Sequence, residues 1–493
     1  MRTKTGILRI LCALLAMLFL AIALASCNGG NQTSADEKKT SAAGGDEEEE
    51  APVPHYDWGG RPFNILGAHN ANEPNFELVA SSDTEGLVAQ EVFARNSWIE
   101  SYYNVEIRDV GKEEDKPKEL IQKALASGDD SYDLAFLIRG DMSTAIINGW
   151  MTDMIDLSYM DLERPWYNAL TVESMKVGGR LFHLASDFSL VDKARTNVLF
   201  FNRDLAEEYQ FDDDLIQLAR DGEWTIEKMM KYAKAIETYD GIDGMSVSDL
   251  WGLTVGGKEA AAAFWNGLGN KVVTIDEDGD WSVNLTTDRS ILSVEKLNLL
   301  FKPTNTITGK QINEDYSVPS SVFIAGNAFF NSTSLSGIES ISRDANFSYS
   351  VLPYPKLNEE QQDYYTTNDN TYCATFGIPQ CAADPNFSAF MIEVLSWKSH
   401  TTTYPAYTET ICKVRGSYDA DCYEMLELTL SGLTYDFGLM YSLGLRTDIL
   451  LKSILEEGQQ ITSLYEGVKV ATEGTADSPG KLPSMLATIA NLD

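Results

Sequence analysis

Tyr132-Asp133-Leu134-Ala135-Phe136-Leu137-Ile138 decides the fold class. From Leu134 to Ile138 the run has no polar position. A half-solvated strand would alternate, so this one is covered on both faces, as in a parallel sheet flanked by helices. Upstream, Lys118 to Ser127 reads as a helix stopped by Gly128. Val105-Glu106-Ile107-Arg108 is a short strand before it. Thr84 to Tyr103 is a longer helix, with Leu87, Val88, Val92, Trp98, Ile99 and Tyr102 at 3–4 spacing. Arg61-Pro62-Phe63-Asn64-Ile65-Leu66 is the first strand. Strand, helix, strand, helix, strand predicts an α/β lobe with a mostly parallel sheet.

Downstream the alternation resumes. Met175 to His183 reads as a hairpin turned by Gly178-Gly179. Thr196 to Asn202 is a strand, and Trp224-Thr225-Ile226-Glu227 opens a helix with Thr225 as N-cap. Trp251 to Val255 is a strand, Glu259 to Leu268 a helix, and Thr274 to Trp281 a hairpin. This is a second α/β unit. From Ala383 onward the pattern is mainly helical. Residues 57–493 exceed the roughly 100–200 residues of one domain, so two lobes are expected.

The N-terminus carries a different signal. Arg2, Lys4 and Arg9 precede a nearly unbroken apolar run from Ile10 to Ala23. Leu24-Ala25-Ser26-Cys27 ends it. Basic start, apolar centre and small-residue end make residues 1–26 a secretory signal peptide. The Leu-Ala-Ser-Cys end resembles the lipobox of bacterial lipoproteins, which implies lipidation of Cys27. The expected location is the outer face of the bacterial cytoplasmic membrane, reached by export and held by lipid. Residues 27–56, rich in small polar residues and closing on Asp46-Glu47-Glu48-Glu49-Glu50, read as a disordered acidic linker.

Composition excludes some functions. Against 38 basic residues stand 74 acidic ones, for a net charge of −36. Such a field repels nucleic acid. His55, His69, His183 and His400 have no metal-ligand spacing. Gly252 to Lys258 imitates a phosphate loop, but Glu259 stands where Ser or Thr would be needed. Asp276 to Asp280 resembles a calcium loop without its terminal Glu, and a turn is expected there. No cofactor or metal is expected. The exported cysteines Cys373, Cys381, Cys412 and Cys422 allow three pairings. The short spacings favour Cys373–Cys381 and Cys412–Cys422, yet sequence does not choose between these and free thiols.

Several stretches together resemble the extracellular solute-binding proteins of family 1, the sugar-binding type that serves ABC importers. They are Gly59 to Leu66; Gly128 to Leu134; Val198-Leu199-Phe200-Phe201-Asn202-Arg203-Asp204-Leu205; Gly222-Glu223-Trp224-Thr225; Ser321 to Phe330; Val351-Leu352-Pro353-Tyr354-Pro355; and Ala383-Asp384-Pro385-Asn386. Their order and spacing match over most of residues 57–400. The resemblance implies a two-lobed, periplasmic-binding-protein-like α/β fold of type II, with hinge strands and a large helical C-terminal part. Lobe 1 would comprise 57–185 plus about 320–355, and lobe 2 190–315 plus about 373–493. Crossings are expected near Leu184–Asp192, Pro303–Ser320 and Pro353–Cys373. The segment Tyr404 to Tyr441 has no place in the short pattern.

Sugar recognition needs an aromatic face and planar polar groups. The candidates at predicted strand ends and loops are His69, Asn70, Arg139, Asp141, Asp187, Trp265, Asn331, Asn368, Asp369 and Asn370. Trp265, on an alanine-rich helix, also fits core packing. The expected protein is a monomeric, non-enzymatic solute-binding lipoprotein that captures a carbohydrate and delivers it to ABC permease subunits. The rivals are a lipid-anchored glycan-degrading enzyme, which needs two carboxylates roughly 5–10 Å apart, and an adhesion or scaffold lipoprotein.

Overall fold

The computed structural model describes residues 51–492 apart from 69–77, 113–114, 237–245, 257, 277, 302–305, 309–316, 369–372, 415–416, 442, 444, 446–448 and 456–457. Its strands of three or more residues are β1 (Arg61–Leu66), β2 (Val105–Asp109), β3 (Leu134–Ile138), β4 (Asn197–Asn202), β5 (Trp251–Val255), β6 (Val273–Ile275), β7 (Trp281–Val283), β8 (Thr306–Thr308), β9 (Ala328–Ser334), β10 (Tyr349–Leu352) and β11 (Ala374–Gly377). Two sheets organise the chain. The first runs β11-β3-β1-β2 and the second β10-β4-β9-β5-β8.

In the first sheet β1 is parallel to both β2 and β3, with Ile65 opposite Leu134. β11 closes the edge antiparallel to β3, placing Ala374 opposite Ile138. Leu134 to Leu137 are all buried, as an apolar strand covered on both sides requires. The cover on one face is helix Pro385–Thr401, which packs with helix Leu87–Tyr103. Asp384 caps the former, accepting from the N–H groups of Asn386 and Phe387 at 3.2 Å each, and Pro385 fills the first turn. Phe387 and Phe390 from this helix join Phe63 and Phe136 in the core.

In the second sheet β4 pairs antiparallel with β10 and β9, while β5 lies parallel to β9 and β8. Its core gathers Phe200, Leu253 and Phe330 with Trp224, Trp251 and Trp265. Trp224 donates its indole N–H to the Pro353 carbonyl at 3.0 Å, fixing the Val351–Pro355 segment. β6 and β7 form the expected hairpin.

Three expectations are corrected. The segment 320–355 belongs to the second sheet, because β9 inserts between β4 and β5 and β10 pairs with β4. The segment from 373 begins in the first sheet with β11, and helix Pro385–Thr401 stays there. No crossing separates β8 from β9, since both lie in the second sheet. The acidic linker also ends earlier than 56. Val53 is buried, and its carbonyl accepts from the Tyr103 hydroxyl at 3.5 Å. Residues 1–50, with Cys27 and the signal peptide, lie outside the described residues.

Candidate functional site

The pairing pattern puts the business ends of both sheets at one place. In the first sheet the C-terminal end of β3 meets the N-terminal end of β11. In the second, the C-terminal end of β9 meets the N-terminal end of β4, with Asn197 opposite Ser334. Thr196 directly precedes β4, and it forms a backbone bridge with Asn368, which lies upstream of β11. Strand C-termini of both lobes therefore flank the same crossing, the position where open α/β sheets take ligands.

Arg139 and Asp141 open helix Arg139–Ile147 directly after β3. Both are half-buried, and Asp141 is held by Lys118 Nζ at 2.6 Å. The Arg139 guanidinium donates to the Leu439 carbonyl, so the C-terminal helix Phe437–Met440 stands against this corner. Ile138, beside them, is 37% exposed. Asp436 caps that helix through the N–H groups of Gly438 at 2.8 Å and Leu439 at 3.3 Å, and also accepts from the Val272 N–H of lobe 2. Burial lifts the Asp436 carboxyl to about 6 despite these backbone donors. The segment Tyr404 to Tyr441, without a place in the sequence pattern, thus supplies a wall where the lobes meet.

Asp187 and Asn368 come together in a polar cluster that ties the crossings near 184–192 and 353–373 to the helices that follow β11. Asp187 sits between His400 Nδ1 at 2.6 Å and Lys193 Nζ at 3.7 Å. Lys193 also pairs with Asp192 at 2.9 Å. Asn368 donates to the Asp192 carbonyl at 2.6 Å. From helix Thr403–Ile411, Tyr404 donates to Glu427 at 2.7 Å, close to Asp187 and Lys193. Burial opposes the charge on Lys193, but Asp192 and Asp187 outweigh it and hold the ammonium protonated above its ordinary range. Burial raises Asp192, which also feels Asp187. Asp192 and Lys193 were not singled out from sequence, because adjacent opposite charges look like a solvated turn.

The remaining candidates separate. Trp265 is fully buried and offers no face to a ligand, so core packing is its role. Asn331 lies inside β9, where its carbonyl accepts from Thr254 Oγ1 at 3.0 Å, enclosed in lobe 2. His69, Asn70, Asp369 and Asn370 fall outside the described residues.

Two cavities between elements of different lobes were missed. One, of about 300 Å³, is lined by Leu170, Arg220, Gln362, Asp363, Tyr364 and Leu428 among others. The other, of about 290 Å³, lies between the turn at Val177-Gly178, the β6–β7 hairpin with Trp281, and helix Lys481–Ala490. The available signals were the polar-aromatic run Gln361 to Tyr365 in the second crossing, and a Trp facing a hairpin turn.

No family model matches the chain, and no curated protein matches it by sequence. Solved structures do match its shape. The sugar-binding protein MalE from the phytopathogen Xanthomonas citri aligns with a TM-score of 0.57 at 11% identity, over 87% of this chain and 97% of that one. The galacto-N-biose/lacto-N-biose I-binding protein of an ABC transporter from Bifidobacterium longum, in complex with lacto-N-biose, gives 0.54 at 12% identity, over 87% and 98%. The maltose-binding periplasmic protein MalE from Listeria monocytogenes, in complex with maltose, gives 0.54 at 12%, over 83% and 96%. The chain has the two-lobed fold of these periplasmic binding proteins.

Proposed function

We propose that this chain is a lipid-anchored extracellular solute-binding protein that captures a carbohydrate between its lobes and delivers it to an ABC permease. The observation that carries the reading is the meeting of strand C-termini from both sheets at the Thr196–Asn368 bridge, with Arg139 and Asp141 at its rim. The likeness to sugar-binding proteins of the same fold supports the solute class. The lipobox ending on Cys27 supports the anchor.

The chain's own part is binding and closure. Arg139 and Asp141 supply planar charged groups of the kind that engage sugar hydroxyls. The hinge cluster keeps the crossings together while the lobes rotate about them. Solute shifts the population toward the closed form, and that form docks on the permease as a monomer.

The test is the melting temperature of the chain from Ala51 onward against mono- and oligosaccharides, peptides and polyamines, with turnover followed in parallel. A ligand at 100 times its Kd stabilises by about 2.7 kcal/mol. A rise with one sugar family and no product supports the reading. No shift with any sugar removes the carbohydrate, and release of product from a glycan replaces binding with hydrolysis.

A further inference from the structure

Helix Thr403–Ile411 packs against helix Leu87–Tyr103 of lobe 1, whereas helix Ala420–Ser431 packs on β10 of lobe 2. The corner between them is the third crossing. Cys412 ends the first helix, its N–H bonded to the Thr408 carbonyl at 3.0 Å, and Cys422 stands in the first turn of the second. Asp419 locks the two positions together. Its N–H donates to the Cys412 carbonyl at 3.0 Å and its carboxylate accepts from the Cys422 N–H at 3.1 Å. Arg203 pins that carboxylate at 2.8 Å. Both thiols are fully buried, lie in hydrogen-bonding contact, and face Tyr349 of β10.

The other two cysteines are held apart. Cys373 precedes β11 and Cys381 follows it, and an extended strand rises about 3.3 Å per residue between them. All four are thiols in this structure.

We propose that Cys412 and Cys422 are a disulfide-forming pair, oxidised to a bond that clamps the corner between the lobe 1 helix and the lobe 2 helix. A thiolate opens the exchange, here that of Cys422. It attacks a disulfide-bearing oxidant, such as oxidised glutathione or a thiol–disulfide oxidoreductase, and one oxidant thiolate leaves. The Cys412 sulfur then displaces the second. One S–S bond forms, the oxidant's S–S bond is reduced to two thiols, and the protons of both cysteine thiols pass to solvent and the departing sulfurs. Because both sulfurs end buried, this exchange precedes final packing of the corner.

That the bond forms in an exported protein rests on the reading above; the test does not. The purified full chain is unfolded, refolded with oxidised glutathione, then denatured and labelled with maleimide before peptide mapping. The expected result is a Cys412–Cys422 linked peptide, lighter by two hydrogens, with Cys373 and Cys381 labelled. Reduction should lower the melting temperature of this form and leave that of a Cys412→Ala/Cys422→Ala variant unchanged. Label on both Cys412 and Cys422 after oxidation, or linkage of either to a third cysteine, overturns the proposal. If the variant does not fold, the wild-type peptide map still decides. Failure of the export reading would change the compartment and leave that map as it is.

Discussion

Asn368 donates its side-chain amide to the Asp192 carbonyl at 2.6 Å, alongside the backbone bridge between Asn368 and Thr196. This sews the outgoing crossing to the returning one at the point where both sheets end. Removing the amide takes one hydrogen bond from a buried carbonyl that keeps the Thr196 hydroxyl at 2.8 Å. Asn368→Ala should lower stability by about 0.5–1.5 kcal/mol. The check is the urea midpoint at constant slope. An unchanged midpoint would mean that the crossing is held by its backbone alone.

Glu393 gives a pH signature. It is buried under the Tyr167 hydroxyl, which donates to it at 2.8 Å, and burial lifts its carboxyl from 4.5 to about 7. Above pH 4.5 the unfolded chain loses this proton while the folded chain keeps it. Stability from this group therefore falls as pH rises, until the folded carboxyl ionises near 7, and by about 3 kcal/mol in all. Glu393→Gln should flatten the fall in melting temperature between pH 5 and pH 7.5, about the window of that shift. Parallel profiles for the two proteins would reject this account.

Trp265 and Arg139 should behave oppositely. Trp265→Ala empties a fully buried indole site and should cost about 3–5 kcal/mol of stability. Arg139→Ala touches a half-buried rim and should weaken sugar binding by about tenfold or more, the worth of one charged hydrogen bond. Calorimetric titration with the sugar found in the melting screen reads the second effect. Wild-type affinity in Arg139→Ala would remove this rim from the site.

Gly252 in β5 is required by space. A Cβ there would lie 2.3 Å from the Ala233 carbonyl oxygen and 2.7 Å from its carbon, both backbone atoms of helix Ile226–Ile236. Gly252→Ala must push helix from strand and should cost about 1–3 kcal/mol or more. Thermal unfolding measures it, and a neutral result would show that the helix yields freely.

Local pattern carried the elements well, and sheet membership poorly. The runs at 61–66, 105–108, 132–138, 196–202 and 251–255 each hold a strand within about two residues, because each needs only its own apolar residues. Which sheet β9 and β10 join depends on partners far along the chain, and nothing in Ala328–Ser334 names β4 and β5 as neighbours. The position of Arg139 and Asp141 at the C-terminal end of β3 was legible, since a polar pair directly follows an apolar strand. Asn331 looked equally polar, but it is enclosed inside a sheet, where its side-chain oxygen accepts from Thr254. Tyr404, Glu427 and Asp436 act only through folding of the C-terminal segment onto the crossings, which local pattern does not report.

The placement of β11 sets an order of events in biosynthesis. β3 ends at Ile138, but its antiparallel partner begins only at Ala374. Until that part of the chain has been made, β3 has an open edge able to pair with strands of other molecules. Pairing at such separation closes a long loop and is slow. The first sheet is therefore completed last, after every strand of the second sheet has been made.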